Sequence, residues 1–463
     1  MPEAAPGSGA PDAAAPVTQP DVASLHHVCR ELAAAADAVR EAARYASGLA
    51  LGPAPLRTAA GPRRARAGRR RLLRTLLDPT GFGWGPQGRT PLAGAAWLAG
   101  VLTSRESLAV SLAVTGLKTR IRAAAVRHPE LLADATTSRV LRAVDEDRHT
   151  EAARVFRGLL TDKGAEYALA LLAPSFADIM AWSALTDENP FNDAAGWQIA
   201  THRPLTSDFF LGTPSAVWAF LDRGSGRAEP HTPTAELLER IDASGTIVGY
   251  VRNIGHLGTR GLLLVQAVAG PDGERRFVVQ LAGMGKGFNQ EGPQDVVGSC
   301  NAMGSTDTAY TRAVRRALNR LVPSGSEVAL VGHSQGGLTA MNLAASRDFN
   351  ALYTVTHVVA IGSPIDHKRA ADPRTRVVSL VNEHDIVPSL EGRSSVSAYE
   401  LPDEFTEFTW KDDTHAFPLC HAAERYAHNL EHDVPHARTH VDSELAAFRG
   451  RVTGTHLFTL HDR

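Results

Sequence analysis

The sequence predicts an α/β protein in which a mostly parallel sheet flanked by helices follows an all-helical N-terminal region. From about residue 245 to 430, short apolar runs bounded by turn residues alternate with helical patterns. From Asp21 to about Leu185, apolar residues recur at helical spacing and no strand pattern is visible. A chain of 463 residues, 43% of them hydrophobic, is long and apolar enough to form two or three domains.

Composition and pattern divide the chain into five segments. Residues 1–20 are rich in Ala, Pro and Gly, so we expect a disordered tail, and they lack the basic start and apolar core of a signal peptide. Residues 21–185 are the predicted helical region, and residues 186–235 are a connecting segment rich in Gly, Pro and Thr. Residues 236–450 are the predicted α/β domain, and residues 451–463 a C-terminal tail.

Helices account for all the elements predicted in the N-terminal region. The first helix is predicted to start at Val22 and to end near Leu51, where Gly52 and Pro53 stop it. Further helices are predicted over residues 92–125, 138–160 and 164–185. In the α/β domain, residues 246–250 are the first predicted strand, and residues 262–268 and 277–281 a hairpin. Because a domain of roughly 200 residues leaves little room for an internal lid, we expect the N-terminal helices to supply any lid.

Charge and cysteine content limit the partners. The 48 basic and 50 acidic residues nearly balance, so we expect no nucleic acid partner. An arginine-rich segment begins at Arg57 and ends at Arg74, and it indicates either contact with an anionic membrane surface or nucleic acid, or a solvated loop and helix face. Its lack of interleaved aromatic residues favours the solvated face. Three cysteines, Cys29, Cys300 and Cys420, are an odd number, which argues against a disulfide scaffold.

Targeting features point to an aqueous location. The longest charge-free apolar stretches fall short of the ~20 residues that a membrane-spanning helix needs, so we expect buried helices there. With no signal peptide pattern either, a cytoplasmic protein, or one exported by a route without a signal peptide, is expected.

The motif with the clearest chemistry is the run Gly332-His333-Ser334-Gln335-Gly336, which has the pattern G-x-S-x-G. A buried-strand pattern precedes it at residues 327–331, and a helical pattern follows it to residue 347. In a nucleophile elbow the serine occupies a strained turn between strand and helix, and the residues two before and two after it must be small. The pattern therefore predicts Ser334 as a nucleophile.

A serine nucleophile needs a base and an acid, which in this arrangement follow in the order serine, acid, histidine. Residues 377–381 look like a later strand, and Asp385 comes directly after it, so Asp385 is the predicted acid. Glu383 is the alternative acid, because it lies two residues earlier on the same side of an extended chain.

Several histidines follow the acid, and we favour His421, which follows the predicted strand 405–410 and opens a helix. His415 is the alternative base. His428 and His432, with His436 and His440 continuing the spacing, also suggest a metal site, although the order H-E-x-x-H is missing. We therefore expect neither a metal nor an organic cofactor.

An acyl-transfer site also needs donors for the oxyanion that forms on the substrate. The backbone N–H of Gln335, the residue after the nucleophile, is one candidate. The glycine-rich loop after the strand 277–281 supplies the second, from Gly283 or Met284.

Residues 245–430 resemble the serine esterase and lipase branch of the α/β-hydrolases. Within that branch they are most similar to the lipase class 3 and GPI inositol-deacylase-like members, and to bacterial hydrolases with a long helical N-terminal region. The elbow, the strand and loop ending at Gly283, the run after Asp385, and His421 followed by Tyr426 carry the similarity. One departure is that relatives often have Pro-Gly-Thr where this chain has Ala282-Gly283-Met284, so no threonine hydroxyl lies beside the oxyanion.

The resemblance implies an α/β-hydrolase fold with Ser334 as nucleophile, Asp385 as acid and His421 as base. It predicts a carboxylic ester hydrolase that acts on a lipid or other acyl ester through an acyl-enzyme. The alternative is an inactive hydrolase-fold scaffold, or a secreted effector, whose helical half mediates targeting or interaction.

Overall fold

The computed structural model describes residues 22–51, 67–68, 70–71, 107–187, 189, 191–208, 212–285, 287, 291–394 and 401–463. The predicted tail 1–20, most of the arginine-rich segment and the first part of the helix predicted over residues 92–125 lie outside these residues.

The helical region and the connecting segment contain nine of the described α-helices. They are α1 Val22–Leu51, α2 Leu108–Arg127, α3 Glu130–Ala133, α4 Ala135–Asp145, α5 His149–Lys163, α6 Ala165–Leu172, α7 Phe176–Thr186, α8 Asp193–Ala200 and α9 Ser215–Leu221, with a 3₁₀ turn at Ala173–Ser175 between α6 and α7.

The α/β part follows with strands and helices in alternation. In chain order it contains β1 Arg227–His231, α10 Ala235–Arg240, α11 Ile247–Leu257, β2 Leu262–Ala269, β3 Arg275–Leu281, α12 Val296–Gly304, α13 Ala309–Leu321, β4 Glu327–His333, α14 Gln335–Ala345, α15 Arg347–Asn350, β5 Thr354–Ile361, β6 Arg376–Asn382, β7 Phe405–Trp410, α16 Ala423–His432, α17 Pro435–Glu444 and β8 Arg451–His461. Short 3₁₀ turns lie at Val387–Glu391, Leu419–His421 and Leu445–Phe448.

The eight strands form one mostly parallel sheet in the order β1-β8-β2-β3-β4-β5-β6-β7. Strands β3 to β7 pair in parallel, whereas β1, β8, β2 and β3 pair antiparallel. Because parallel strands end at the same edge, the segments that follow β3, β4, β6 and β7 all start on one side of the sheet. That edge carries the loop with Gly283, then Ser334, Asp385 and, after a loop, His421.

Helices cover both faces of the sheet, which explains why its central strands are apolar runs rather than alternating patterns. On one face α13 and α14 pack against Leu263, Val265 and Val279. On the other face α11, α16 and α17 pack against Leu264 and Val278. The central strands are therefore excluded from water on both sides.

The helical region has its own apolar core, and this core extends onto the sheet. Helices α2, α4, α5 and α7 to α8 contribute most of it, and Ile386, from the segment after β6, is buried in the same cluster. Val387, Leu390 and Phe417 pack against it from the α/β part. The N-terminal helices thus lie against the edge of the sheet that carries Asp385 and His421.

One stretch among the described residues, Ala165–Thr186, is by length and composition apolar enough to cross a membrane. Inside the protein, 78% of its apolar window is buried, as in the core helices of many proteins. It contains α6 and α7, separated by the 3₁₀ turn at Ala173–Ser175, so the single helix predicted over residues 164–185 is two.

Other helical boundaries differ from the prediction. The helix predicted over residues 138–160 is α4 and α5, separated by a turn in which Asp147 has a φ of 54°. Residues 246–250 were expected as a strand, and that expectation is wrong. Thr246 caps α11 instead, since its hydroxyl accepts a hydrogen bond from the Gly249 amide, and apolar residues in the first turn of a buried helix resemble a short strand.

The limits of the α/β part also differ from the predicted 236–450. Residues 451–463, expected as a C-terminal tail, contain β8, which pairs with β1 on one side and β2 on the other. Strand β1, Arg227–His231, lies within the predicted connecting segment and forms an edge of the sheet. Both strands depend on partners far away in the chain, which a local pattern does not identify.

Candidate active site

Ser334 lies in a sharp turn between β4 and α14. Its backbone has φ 56° and ψ −125°, a conformation that non-glycine residues rarely adopt and that costs on the order of 1–3 kcal/mol. The flanking glycines allow the turn to close. A Cβ atom on Gly332 would lie 2.4 Å from the carbonyl carbon of Gly336, and a Cβ on Gly336 would lie 2.2 Å from the Leu281 oxygen. The spacing of the motif is therefore a packing requirement.

Two contacts, one with the last residue of β5 and one with the segment after it, fix the turn. The Ser334 amide donates a hydrogen bond to the Ile361 carbonyl at 2.9 Å. A Cβ on Gly337 would lie 2.2 Å from the Ser363 hydroxyl, so this part of α14 packs directly on that segment. Ser334 is 8% exposed, which leaves its hydroxyl at the edge of the sheet and largely shielded from water.

The structure brings Asp385 and His421 into direct contact. The His421 Nδ1 and Asp385 Oδ2 atoms are 2.6 Å apart, and the carboxylate side chain is fully buried. An ionised carboxylate can only accept, so the proton of the neutral imidazole is on Nδ1 and Nε2 is left to accept a proton. This is the tautomer that a general base needs.

Tyr426 also contacts the Asp385 carboxylate. Its hydroxyl donates to Asp385 Oδ2 at 2.8 Å and accepts from the Asn382 amide at 3.1 Å. The Val387 amide donates to the other oxygen, Oδ1, at 3.0 Å. Burial, and then the charge of Asp385, raises the pKa of Tyr426 well above its usual range, so the hydroxyl remains a donor. A Cβ on Gly362 would lie 2.9 Å from both this hydroxyl and Asp385 Oδ2.

His333, the residue before Ser334, connects the turn to His421. The His333 Nε2 atom lies 2.7 Å from the His421 carbonyl oxygen, which can only accept, so Nε2–H is the donor. The two imidazole rings have centroids 4.6 Å apart. Burial, with His421 as a smaller cause, lowers the pKa of His333 to about 3, so it is neutral at physiological pH. The G-x-S-x-G motif accepts any residue at the position of His333, so the motif alone did not predict these contacts.

The predicted oxyanion donors have free amides. The backbone N–H groups of Gly283, Met284 and Gln335 donate no hydrogen bond to any residue within the described part of the chain. A Cβ on Gly283 would lie 2.8 Å from the Ser334 Cβ, so the loop after β3 passes directly beside Ser334. Met284 is 40% exposed, which marks this loop as an open side of the site.

The alternative acid and base have other partners. Glu383 forms an ion pair with Arg127, and its other carboxylate oxygen lies 3.4 Å from His128 Nε2; both partners come from the helical region. The His415 ring packs on His384, with centroids 4.1 Å apart. Both residues lie between the helical region and the sheet and take no part in the contact between Asp385 and His421.

The later histidines do not converge on one point. The rings of His428 and His432 lie with centroids 4.6 Å apart and tilted by 52°, and His436 and His440 both contact Phe408. In the described residues, no group of three or more His, Cys, Asp or Glu side chains is arranged to hold a metal ion.

A small cavity lies where the helical region meets the site. It has a volume of about 60 Å³ and is lined by Ala173 and Pro174 from the helical side and by Ser363, Asp385 and Pro388 from the sheet side. A space of this size accommodates one or two waters and is far smaller than the ~300 Å³ or more of a ligand pocket. The helices therefore close the site on the Asp385 side.

Comparison with known proteins adds no relative: no protein-family model matches the chain, and neither a curated protein nor a solved structure matches it.

Proposed function

We propose that the protein is a serine hydrolase of the α/β-hydrolase type that cleaves carboxylic esters. The observation that carries the proposal is the combination of a strained Ser334 elbow with an Asp385–His421 pair held at 2.6 Å on the same edge of the sheet. Strain and buried charge both cost folding free energy, and they cluster at functional sites. The Gly283, Met284 and Gln335 amides, which have no acceptor among the described residues, would supply the remaining feature that acyl transfer needs.

The proposed reaction proceeds in two halves. His421 Nε2 removes the hydroxyl proton of Ser334 as Oγ attacks the ester carbonyl, and the resulting oxyanion accepts hydrogen bonds from the Gln335 amide and from Gly283 or Met284. The tetrahedral intermediate collapses, and His421 gives its proton to the leaving alcohol. Water then attacks the acyl-enzyme with the same base, which releases the acid and restores Ser334. No metal or organic cofactor is required.

A lipid or another acyl ester is the proposed substrate class, and its side of approach follows from packing. Because the helical region packs against Ile386 and the cavity between it and Asp385 is small, substrate would approach from the side of Met284. Contact of the arginine-rich segment with an anionic membrane, and a location in the cytoplasm or outside the cell, stay predictions.

The test is covalent labelling with a fluorophosphonate, together with hydrolysis of p-nitrophenyl esters of increasing chain length. Ser334→Ala should abolish both the labelling and the ester hydrolysis, while an unchanged far-ultraviolet circular dichroism spectrum shows that the protein is folded. Ser346→Ala is the matched control, since this hydroxyl only caps α15 at the other end of α14. His421→Ala should lower kcat by roughly 10⁴-fold, and His428→Ala should retain full activity.

The outcomes separate the alternatives. Labelling of a folded Ser334→Ala protein would refute the assignment of the nucleophile. A folded wild-type protein that is neither labelled nor active would favour the inactive scaffold, and loss of activity in His428→Ala that zinc restores would favour the metal site.

A further inference from the structure

The loop that carries Gly283 rests on two buried polar side chains that the proposed reaction does not use. The Tyr310 hydroxyl, from α13, donates a hydrogen bond to the Ala282 carbonyl at 3.0 Å. The Gln294 side-chain amide in turn donates to the Tyr310 hydroxyl at 2.9 Å. Both side chains are 1% exposed, so the pair is shielded from water.

Gln294 also ties this loop to the residue before β2. Its side-chain oxygen accepts from the Gly261 amide at 2.7 Å, and its side-chain nitrogen lies 3.5 Å from the Ala282 carbonyl oxygen. Its backbone carbonyl accepts from the Gly285 amide, in the loop itself, at 2.8 Å. Apolar side chains of similar size would fill this interior without the cost of burying polar groups. The polar groups therefore fix the course of the backbone from Ala282 to Gly285 rather than merely fill space.

The orientation of one amide follows from these contacts. A trans peptide is planar, so the N–H of Gly283 points away from the Ala282 carbonyl to which it is bonded. Holding that carbonyl toward Tyr310 sets the direction of the Gly283 N–H. The close approach to Ser334 excludes a Cβ at position 283, so this position needs glycine, the residue with the widest conformational freedom. Gly283 by itself therefore does not restrict the orientation of its peptide group.

We propose that Tyr310 and Gln294 are positioning residues that hold the Gly283 amide in the orientation that receives the oxyanion. The inference rests on the proposed function. Burial raises the pKa of Tyr310 above its usual range, so its hydroxyl keeps its proton and donates at every pH suited to the assay.

The experiment compares Tyr310→Phe with Tyr250→Phe. Tyr250 is the matched control because it is also 1% exposed, and its hydroxyl lies 3.5 Å from a backbone carbonyl, that of Phe448, remote from Ser334. Each variant is assayed for kcat and KM on a p-nitrophenyl ester, and for the inhibition constant of an alkyl trifluoromethyl ketone. The ketone forms a hemiketal with the serine hydroxyl and places an oxyanion among the same donors.

Tyr310→Phe should lower kcat about 10-fold with KM within about twofold of wild type, less than the 10²–10³-fold loss of a whole oxyanion donor because the amide is misdirected, not removed. Affinity for the ketone should fall by the same factor as kcat/KM. Tyr250→Phe should change neither. If the role of Tyr310 were purely structural, Tyr310→Phe would lower the melting temperature as Tyr250→Phe does, and it would leave the ketone affinity per active site unchanged.

Two results would overturn the inference. One is a folded Tyr310→Phe protein with wild-type kcat and ketone affinity. The other is a loss of kcat without a matching loss of ketone affinity. If Tyr310→Phe does not fold, Gln294→Met is judged by the same two criteria. An inactive and unlabelled wild-type protein would overturn the proposed function itself, which distinguishes the two failures.

Discussion

Replacing Tyr426 with phenylalanine should move the acidic limb of the pH–rate profile to higher pH. The hydroxyl and His421 Nδ1 donate to the same oxygen of Asp385, at 2.8 Å and 2.6 Å. Two donors share the charge of one carboxylate oxygen. Removing the hydroxyl leaves more of that charge to stabilise the protonated imidazole of His421, which must lose its proton before it can act as a base.

The size of the effect can be worked from the contacts. A hydrogen bond to a charged group contributes about 1.5–3 kcal/mol. If roughly half of the lost interaction passes to the bond with His421, the protonated ring gains about 1 kcal/mol, which corresponds to about 0.7 pH unit. The free energy of unfolding should also fall by about 1–3 kcal/mol, because the buried Asn382 amide loses its acceptor at the same time.

The assay is kcat/KM on a p-nitrophenyl ester between pH 5 and 9, with unfolding by urea measured on the same samples. Tyr353→Phe is the control, because its hydroxyl donates to Asn319 Oδ1 at 2.8 Å and has no contact with Asp385. An acidic limb that stays in place or moves to lower pH in Tyr426→Phe, while the protein is folded, would refute the reasoning about shared charge.

Two further predictions concern stability. Ser334→Gly should be more stable than Ser334→Ala by about 1 kcal/mol in urea unfolding, because glycine relieves the left-handed turn; equal stability would show that the turn is unstrained. His202→Asn should reduce acid sensitivity. Burial, and then Arg120, lowers the pKa of His202 to about 2, so below pH ~6.5 the unfolded chain binds a proton that the folded protein does not, and stability falls as the pH decreases. Asparagine does not titrate and suits the φ of 54° at this position, so the slope of unfolding free energy between pH 5 and 3 should decrease by up to about 1.4 kcal/mol per pH unit; an unchanged slope would contradict a neutral buried His202.

Local sequence determined the parts of the site that depend on neighbours in the chain. The elbow is such a part, because the glycines at 332 and 336 contact each other and the turn they flank. The position of Asp385 at the end of an apolar run follows equally from a local pattern, as do the alternation of strands and helices and the helical character of the N-terminal region. In each case the deciding contacts lie within a few residues.

Tertiary structure alone decided what depends on partners far apart in the sequence. Eight histidines follow Asp385, and which of them contacts its carboxylate, His421, depends on a contact across 36 residues that no spacing encodes. The placement of β8 between β1 and β2, the support of Asp385 by Tyr426 and the link from Tyr310 to Ala282 have the same character. A strand, a base or a supporting hydroxyl acquires its role from whatever packs against it. For this reason the sequence alone predicted the chemistry at Ser334, whereas only the folded chain decides which side chains orient it.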